Sequence, residues 1–392
     1  MKTLKSYEHT IYASYLGYIT QAIVNNFLPL LFLTLSGQYA LTLDKITLIT
    51  TMNFAVQLLV DLLSARFIDK IGYRVAVVAA HVFAAAGLVG MAFLPELLPG
   101  AYAGILLCVV LYAIGGGIIE VLISPIVEAC PTEKKEAAMS LLHSFYCWGH
   151  VAVVLFSTLF FHVCGIENWK VLACLWAIVP LLNAVYFAKV PIFPIVSGHE
   201  KMSLRGLFGQ KVFWVLLVLM VGAGASEQGM SQWASTFAES ALGVSKMVGD
   251  LAGPCAFAIF MGTARALYGK YSDKISLKKV MVTSACLCIV CYLTASLTSS
   301  PAWGLIGCAV CGFSVGIFWP GTFSLAAVKL PTAGTAMYAF MALAGDVGCA
   351  AGPTVVGMAA NLCSGDLKTG LLSALVFPVM ILIGMTILRD KK

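Results

Sequence analysis

Long apolar runs, separated by short polar stretches, make up nearly the whole chain. A run of about 20 apolar residues is long enough to cross the hydrocarbon core as a helix. The runs lack the alternation of apolar and polar residues typical of a membrane barrel, so the pattern predicts spanning helices. The twelve predicted spans lie at 9–35, 43–67, 75–95, 101–128, 137–163, 168–190, 212–238, 247–270, 279–298, 302–327, 333–361 and 368–388.

Two similar segments indicate an internal repeat. The stretch LSARFIDKIGYR (63–74) follows the second predicted span, and LYGKYSDKISLK (267–278) follows the eighth. Paired six-span repeats are typical of transporters that bind a solute near mid-membrane, where the repeats meet. We therefore predict an N-terminal six-helix bundle (1–190), a cytoplasmic linker (191–211) and a C-terminal six-helix bundle (212–392).

Composition excludes an ordinary soluble domain. Charged residues make up 11% of the chain and hydrophobic residues 60%, whereas a soluble domain carries about 25% charged residues. The N-terminus enters the first span without a small-residue cleavage site, so we expect it to be retained. Nearly all of the thirteen cysteines lie within apolar runs and are expected to pack as small apolar residues, with no metal or redox site.

Lys and Arg are distributed unevenly between the two sides. Of the 24 Lys and Arg residues, the predicted outer loops hold only Lys45, Lys170, Lys246 and Lys368. Positive residues collect on the cytoplasmic side, so we predict a multi-pass protein of the cell membrane, in bacteria the inner membrane, with both termini cytoplasmic. The net charge of +6 is then explained by anionic lipid and gives no case for nucleic-acid binding.

Three acids lie near the middle of predicted spans, where an isolated charge costs about 2.5 to 3.5 kcal/mol even on insertion scales. Acids kept there almost always face a cavity or a partner, and desolvation disfavours their charged form, which favours loading and release of a proton. The candidates for proton coupling are Glu120, Glu227 and Asp346. The alternative is an acid paired permanently with Arg265 or with a histidine.

Amide and aromatic side chains on the spans suit a neutral polyol. Amides bind hydroxyl groups, and aromatic planes cover the apolar face of a sugar. The substrate-binding candidates are Tyr18, Gln21, Asn25, Asn26, His143, Tyr146, His150, Gln228, Gln232, Trp233 and Trp319. The alternative is that these groups hydrogen-bond neighbouring helices, as polar side chains in membrane bundles commonly do. Asn53, Gln57 and Asp61 line one face of the second span.

The stretch ARFIDKIGYR (65–74) resembles the loop signature G-x-x-x-D-R/K-x-G-x-R/K of the major facilitator superfamily, with Ala65 in place of the first glycine. The resemblance implies an all-α membrane protein of twelve transmembrane helices in two pseudo-symmetric six-helix bundles, with a charge cluster at a cytoplasmic gate. By the repeat, Asp61 corresponds to Arg265, and this pair is a further gate candidate. The gate candidates are Asp61, Asp69, Lys70, Arg74, Arg265, Asp273 and Lys274.

Several stretches resemble the fucose–proton symporter branch of that superfamily. EVLISP (120–125) resembles its E-x-x-x-N-P, with serine in place of asparagine, and LLHSF (141–145) resembles its L-x-H-x-F. FWPGTFSL (318–325) resembles its tenth-helix F-P-T-I-F-S-L, and GCAAGPTVVG (348–357) its glycine–proline eleventh helix. The stretch NNFLP (25–29) departs from the branch, which often has an acid there, so coupling must use other acids.

Two further features concern helix shape. Trp319 and Pro320 predict a bend in the tenth span, because proline interrupts the helical hydrogen bonds. The glycines at 115–117 and those of the eleventh span are expected to serve close helix packing.

The sequence therefore predicts a secondary transporter that takes up a sugar or similar small polar solute with protons by alternating access. The partners would be the solute, a proton or a sodium ion, and the lipid bilayer, with no cofactor and a monomeric state. A drug or metabolite exporter of the same superfamily is the main alternative; the fifth span, YCWGHVAVVLFST, lacks the exporters' G-P-x-x-G-G. Sodium coupling and uniport stay open, while an enzyme has little support because no nucleophile elbow, P-loop or metal-ligand helix motif occurs.

Overall fold

The computed structural model describes residues 6–132, 135–193, 202–271, 275–330 and 333–388. The regular elements of these residues are helices. A helix satisfies its own backbone hydrogen bonds, as a segment surrounded by lipid must. In these residues, twelve segments are long and apolar enough to cross a membrane, which confirms the predicted all-α fold. Spans one to twelve are Tyr7–Tyr39, Leu43–Leu63, Tyr73–Leu97, Ala101–Glu128, Leu141–Cys164, Ile166–Phe187, Lys211–Ser240, Lys246–Tyr268, Leu277–Leu297, Pro301–Ala326, Ala339–Leu362 and Leu367–Ile387.

The chain divides into two units, Met1–Ser197 and Gly198–Lys392. The α-helices of the first unit are Tyr7–Asn26, Phe32–Tyr39, Leu43–Ile71, Tyr73–Leu97, Ala101–Glu128, Lys135–Cys164 and Trp169–Phe187. Those of the second are Leu204–Phe208, Lys211–Ser231, Ala234–Ser240, Lys246–Asp250, Ala256–Tyr271, Leu277–Leu297, Pro301–Val315, Phe318–Lys329, Gly334–Leu362, Leu367–Ser373 and Val376–Ile387. The predicted domain bounds, with a linker at 191–211, stay a prediction.

Within each unit the helices have corresponding neighbours. In the first unit, span one packs on span five, span two on span four, and span three on spans four and six. In the second, span seven packs on span eleven, span eight on span ten, and span nine on spans ten and twelve. Adding six to each number of the first set gives the second, so the repeat seen in the loop sequences extends to helix packing.

Basic residues at the start of spans three and nine cap another helix in the same unit. Arg74 Nη1 donates to the carbonyl oxygens of Phe187, Ala188 and Val190 at 2.8 to 3.1 Å, at the end of span six. Lys278 Nζ donates to Leu388 O at 2.9 Å, at the end of span twelve. The last carbonyls of a helix lack internal partners and carry partial negative charge, so a cation there is stabilising.

Prolines interrupt spans one, eight and ten. Pro29 lies in a 3₁₀ turn, Leu28–Leu31, and Pro254 lies in a π-helical turn, Leu251–Cys255. In span ten one helix ends at Val315 and the next begins at Phe318, so the span is interrupted within one turn before Pro320. Because Pro320 has no N–H, it leaves the Gly316 carbonyl without its usual helical donor.

Glycines of span eleven allow close contact with span seven. A Cβ atom added at Gly348 would collide with the Val221 carbonyl oxygen and would lie 2.9 Å from Ala225 N. Both obstacles are backbone atoms, which cannot swing aside as a flexible side chain can. This contact fixes the separation of the two helices.

We predict that Gly348→Ala lowers thermal stability, because overpacking costs about 1 to 3 kcal/mol. For a unit of this size, each kcal/mol lowers the midpoint of unfolding by roughly 2 to 4 °C. The measurement is a thermal melt of the detergent-purified protein. Gly209→Ala is the control, because its added Cβ would have no neighbour closer than 3.4 Å. Equal midpoints for the two variants would contradict the close-contact interpretation.

Candidate sites for solute and proton

Side-chain amides of spans one and two form a buried hydrogen-bonded network in the N-terminal unit, and it ends on a carboxylate of span four. Gln57 is at its centre and donates from Nε2 to Asn25 Oδ1 at 2.9 Å and to Asn53 Oδ1 at 3.0 Å. Its Oε1 accepts from Gln21 Nε2 at 2.8 Å. Gln21 Nε2 also donates to Glu120 Oε2 at 2.9 Å. The predicted candidates Gln21, Asn25 and Glu120 are therefore brought together.

Local helix geometry explains how these groups converge. Gln21 and Asn25 are four residues apart on span one, and Asn53 and Gln57 are four apart on span two, so each pair shares a face. On span four, Gly116 lies so near the network that an added Cβ would be 2.9 Å from Gln21 Oε1. The small residue lets span four approach the amides, and Glu120 follows one turn later, where it is half-buried.

Further predicted residues of spans one and five lie around the network. Tyr18 OH is 3.1 Å from Ser124 Oγ on span four, and its ring meets the His143 ring edge-on at 5.3 Å between centroids. Asn26 Nδ2 donates to Tyr146 OH at 3.4 Å and to a backbone carbonyl of its own helix. The side-chain contacts join span one to spans four and five.

Not every predicted residue of span five has the same surroundings. His143 is exposed, whereas His150, two turns further along, is buried at 2% exposure. The shared helical face therefore runs from an accessible end to an enclosed one. Binding of solute by these side chains stays a prediction.

The C-terminal unit holds a carboxylate–guanidinium pair. Arg265 Nη2 lies 3.4 Å from Glu227 Oε2, with 18% of the arginine side chain and 11% of the glutamate side chain exposed. Arg265 Nε donates to Gly316 O at 3.1 Å, the carbonyl that Pro320 leaves without a helical donor. One guanidinium thus pairs with the carboxylate of span seven and donates to the free carbonyl at the break in span ten.

Amides extend this cluster along span seven. Gln228 Nε2 donates to Glu227 Oε1 at 3.4 Å, and Gln232 Nε2 donates to Gln228 Oε1 at 3.0 Å. All three side chains are buried, and Gln232 caps the first helix of span seven, which ends at Ser231, while Trp233 caps the second, which begins at Ala234. Trp233 is fully buried, and its indole N–H donates to Pro353 O at 2.9 Å, which attaches span seven to span eleven.

Trp319 packs against Gly345, the residue before Asp346, in the same unit. The half-buried indole of Trp319 covers Gly345 of span eleven so closely that an added Cβ would collide with the ring. Asp346 is the next residue and is buried at 5% exposure. The structure therefore places the predicted aromatic side chain beside the residue that precedes the predicted acid.

Among the predicted gate residues, Arg265 has its carboxylate partner, Glu227, within its own unit. Arg74 binds helix-terminal carbonyls. The side chains of Asp69 and Lys70, and the whole of Asp273 and Lys274, lie outside the described residues. The gate ion pair between Asp61 and Arg265 stays a prediction.

Sequence reasoning missed two features. The first is the central role of Gln57, which was placed on a polar face of span two but was not among the binding candidates. The second is a charged cluster where spans seven and eight adjoin: Lys246 Nζ lies 3.3 Å from Glu239 Oε1 and 3.2 Å from Asp250 Oδ2. Asp250 is fully buried and also accepts a short hydrogen bond from Ser235 Oγ. The spacing of Lys246 and Asp250, four residues apart, was the available signal.

Comparison with known proteins agrees with this architecture. Residues 14–353 match the sequence profile of the Major Facilitator Superfamily. No curated protein matches the chain by sequence. Among solved structures, a D-xylose–proton symporter is similar with a TM-score of 0.80 and 13% identity, covering 97% of each chain.

Two other solved structures have similar folds. The fucose–proton symporter of E. coli aligns with a TM-score of 0.66 and 15% identity, over 98% of this chain and 100% of that one. A bacterial homologue of the human lysosomal transporter Spinster, inward-facing and unoccupied, aligns with a TM-score of 0.72 and 16% identity, over 97% and 95%. Identities this low establish a shared fold alone.

We predict that the pairing of Glu227 with Arg265 can be measured by a double-mutant cycle. Arg265→Met alone leaves a buried carboxylate without its cation, and breaking such a pair costs about 3 to 5 kcal/mol. Adding Glu227→Gln removes the orphaned charge, so the double variant should regain most of the lost melting temperature.

The matched comparison is Asp61→Asn in the same Arg265→Met background. Asp61 is also an acid on a span, and by the gate hypothesis it is the competing partner. Recovery of melting temperature with Asp61→Asn, and none with Glu227→Gln, would show that Arg265 interacts with Asp61 instead.

Proposed function

Since the chain belongs to the Major Facilitator Superfamily, a family of multi-pass membrane transporters, we propose that it is a proton-coupled importer of a sugar or similar small neutral solute. The observation that supports this proposal most directly is the amide network that ends on Glu120. It combines groups that bind hydroxyls with a group that can carry a proton. The proposed substrate and coupling go beyond what the family alone implies.

The chemistry of the network favours a neutral hydroxylated solute. The network offers amide donors and acceptors within a few ångströms of one another, from Gln21, Asn25, Asn53 and Gln57. Paired hydroxyl groups of a sugar both donate and accept, so they can replace amide–amide hydrogen bonds one for one. A lipophilic cation has no such donors or acceptors, and it would leave these buried groups unsatisfied.

Glu120 connects proton loading to the amides. As a carboxylate, its Oε2 accepts a charge-assisted hydrogen bond from Gln21 Nε2. Protonation makes this group a weaker acceptor, which frees one N–H of Gln21 for a solute while the other still donates to Gln57. In this proposal the proton and the solute are coupled because both act on Gln21.

The C-terminal unit supplies a second carboxylate with a different role. Glu227 is held by Arg265 and by Gln228, so its charge is already compensated. We assign it to positioning the amides of span seven and assign proton exchange to Glu120. Asp346 is the remaining proton candidate, and Trp319 is the aromatic surface proposed to cover a sugar ring.

The setting follows from the same proposal. We place the protein in a cell membrane, in bacteria the inner membrane, with both termini in the cytoplasm, because Lys and Arg collect on that side. We propose that it functions as a monomer by alternating access. The solute and the proton are then its partners.

We predict that proteoliposomes containing the full chain accumulate a labelled sugar when an inward proton gradient is imposed. The panel comprises D-xylose, fucose and the common hexoses. The first two are included because symporters of similar fold are named for them. A sodium gradient without a proton gradient should produce no accumulation. Efflux of a cationic dye with no sugar uptake would favour the exporter.

We predict that Glu120→Gln abolishes gradient-driven accumulation while sugar exchange at equal concentrations survives. The amide side chain cannot carry a proton, yet it keeps the size and the acceptor oxygen that Gln21 contacts. The control is Glu96→Gln, which neutralises an exposed acid in a surface pair with Lys170 and should change stability by less than about 1 kcal/mol. Undiminished accumulation in Glu120→Gln would move proton coupling to another acid.

A further inference from the structure

A groove of about 520 Å³ lies on the outside of the N-terminal unit, separate from the amide network. One wall is formed by a stripe of span three with helical spacing, and Leu111 of span four and Ala188 at the end of span six complete it. The stripe consists of Val75, Val78, Ala79, Val82, Phe83 and Ala86. These side chains face away from the packed side of span three, which carries Val77, Ala80 and Ala84.

The groove has one polar end, formed by Arg74. Within the described residues, this side chain makes three hydrogen bonds, all from Nη1, to carbonyls of span six and the residues after it. These bonds hold the guanidinium in place, and neither Nε nor Nη2 donates to another of the described residues. Those two nitrogens form the fork that binds a phosphate through two parallel hydrogen bonds.

The length of the groove matches one leaflet of a bilayer. From residue 74 to residue 86, span three rises by about 18 Å at roughly 1.5 Å per residue. Half of a hydrocarbon core of about 30 Å is about 15 Å. The groove therefore begins with a cation near the membrane surface and continues as an open apolar groove toward mid-membrane.

We propose that this groove is a specific binding site for one anionic glycerophospholipid. Its phosphate is bound by Arg74, and one acyl chain lies along the stripe of span three. Lys189 lies between Ala188 and Val190, whose carbonyls Arg74 contacts, and so adds a second positive charge near the polar end of the groove. Two positive charges favour an anionic headgroup over a zwitterionic one. By the distribution of Lys and Arg, this is the leaflet assigned to the cytoplasm.

The small residues of the stripe explain why an acyl chain fits here. Ala79 is half-buried and lies along the helix between Val75 and Val82, and Ala86 is exposed and follows Phe83. The larger residues Val75, Val82 and Phe83 are 58%, 49% and 37% exposed. Both alanines line the groove, and their small side chains leave space beside the larger residues of the stripe. A large side chain at Ala79 would fill the space and leave Arg74 untouched.

The test is native mass spectrometry of the detergent-purified full chain titrated with phosphatidylglycerol, and with diacylglycerol of the same acyl chains. We expect one phosphatidylglycerol to bind about tenfold more tightly than diacylglycerol, which lacks the phosphate. Ala79→Phe should weaken phosphatidylglycerol binding by a similar factor, because burial of several methylene groups is lost. Ala103→Phe is the matched control, an exposed alanine of span four outside the groove, and should bind like the wild type.

A second variant examines the phosphate contact. Arg74→Lys keeps the positive charge and can cap span six as Lys278 caps span twelve, but it cannot bind a phosphate through a fork. We expect it to fold, with an unchanged melt, and to lose most of the preference for phosphatidylglycerol over diacylglycerol. If Ala79→Phe fails to fold, Ala86→Phe takes its place.

Three outcomes would overturn the proposal. Equal binding of phosphatidylglycerol to Ala79→Phe and Ala103→Phe would show that the lipid does not occupy the groove. Equal binding of phosphatidylglycerol and diacylglycerol to the wild type would show that the phosphate contributes nothing. Full competition by inorganic phosphate would show an anion site without a lipid chain. None of these measurements depends on which solute is transported.

Discussion

A bilayer offers no water to a buried donor or acceptor, and this constraint accounts for most of what is specific in this protein. Polar groups inside the spans have to find one another. The amides of spans one and two do so around Gln57, and the carboxylate of Glu227 does so with Arg265. The polar clusters are therefore a structural requirement first, and the proposed transport chemistry uses groups that packing already brings together.

The same constraint governs the helix breaks. Pro320 interrupts span ten, and the carbonyl of Gly316 would be unsatisfied in an apolar environment without another donor. Arg265 of span eight provides that donor while it also compensates Glu227. At the helix ends, Arg74 and Lys278 meet the equivalent need in the two halves with different side chains. Conserving the interaction did not require conserving the residue type within the repeat.

The twelve spans could be predicted because hydropathy is a local property, and an interruption of span ten near Pro320 because proline acts on its own helix. Glu120, Gln21 and Asn25 were identified for a similar reason, since each is a polar residue in an apolar run. Gln57 was harder to rank, because its central role depends on the meeting of three helices that are distant in sequence. The sequence did not determine the partner of Arg265 for the same reason. Its position in the repeat suggested Asp61, whereas in the structure the carboxylate of Glu227 lies 3.4 Å from its guanidinium. Asp250 is the last residue of a short helix that precedes the π-helical turn. Hydropathy does not predict that this charged residue is fully buried.

The arrangement at Gly316 has a mechanical consequence. Span ten consists of two helices, and at the break between them Arg265 of span eight donates to the Gly316 carbonyl and also contacts Glu227 of span seven. A single guanidinium therefore links the charge of an acid on one helix to the break in another. Such a link needs no flexible loop, because the charge of Glu227 influences how strongly Arg265 binds the Gly316 carbonyl.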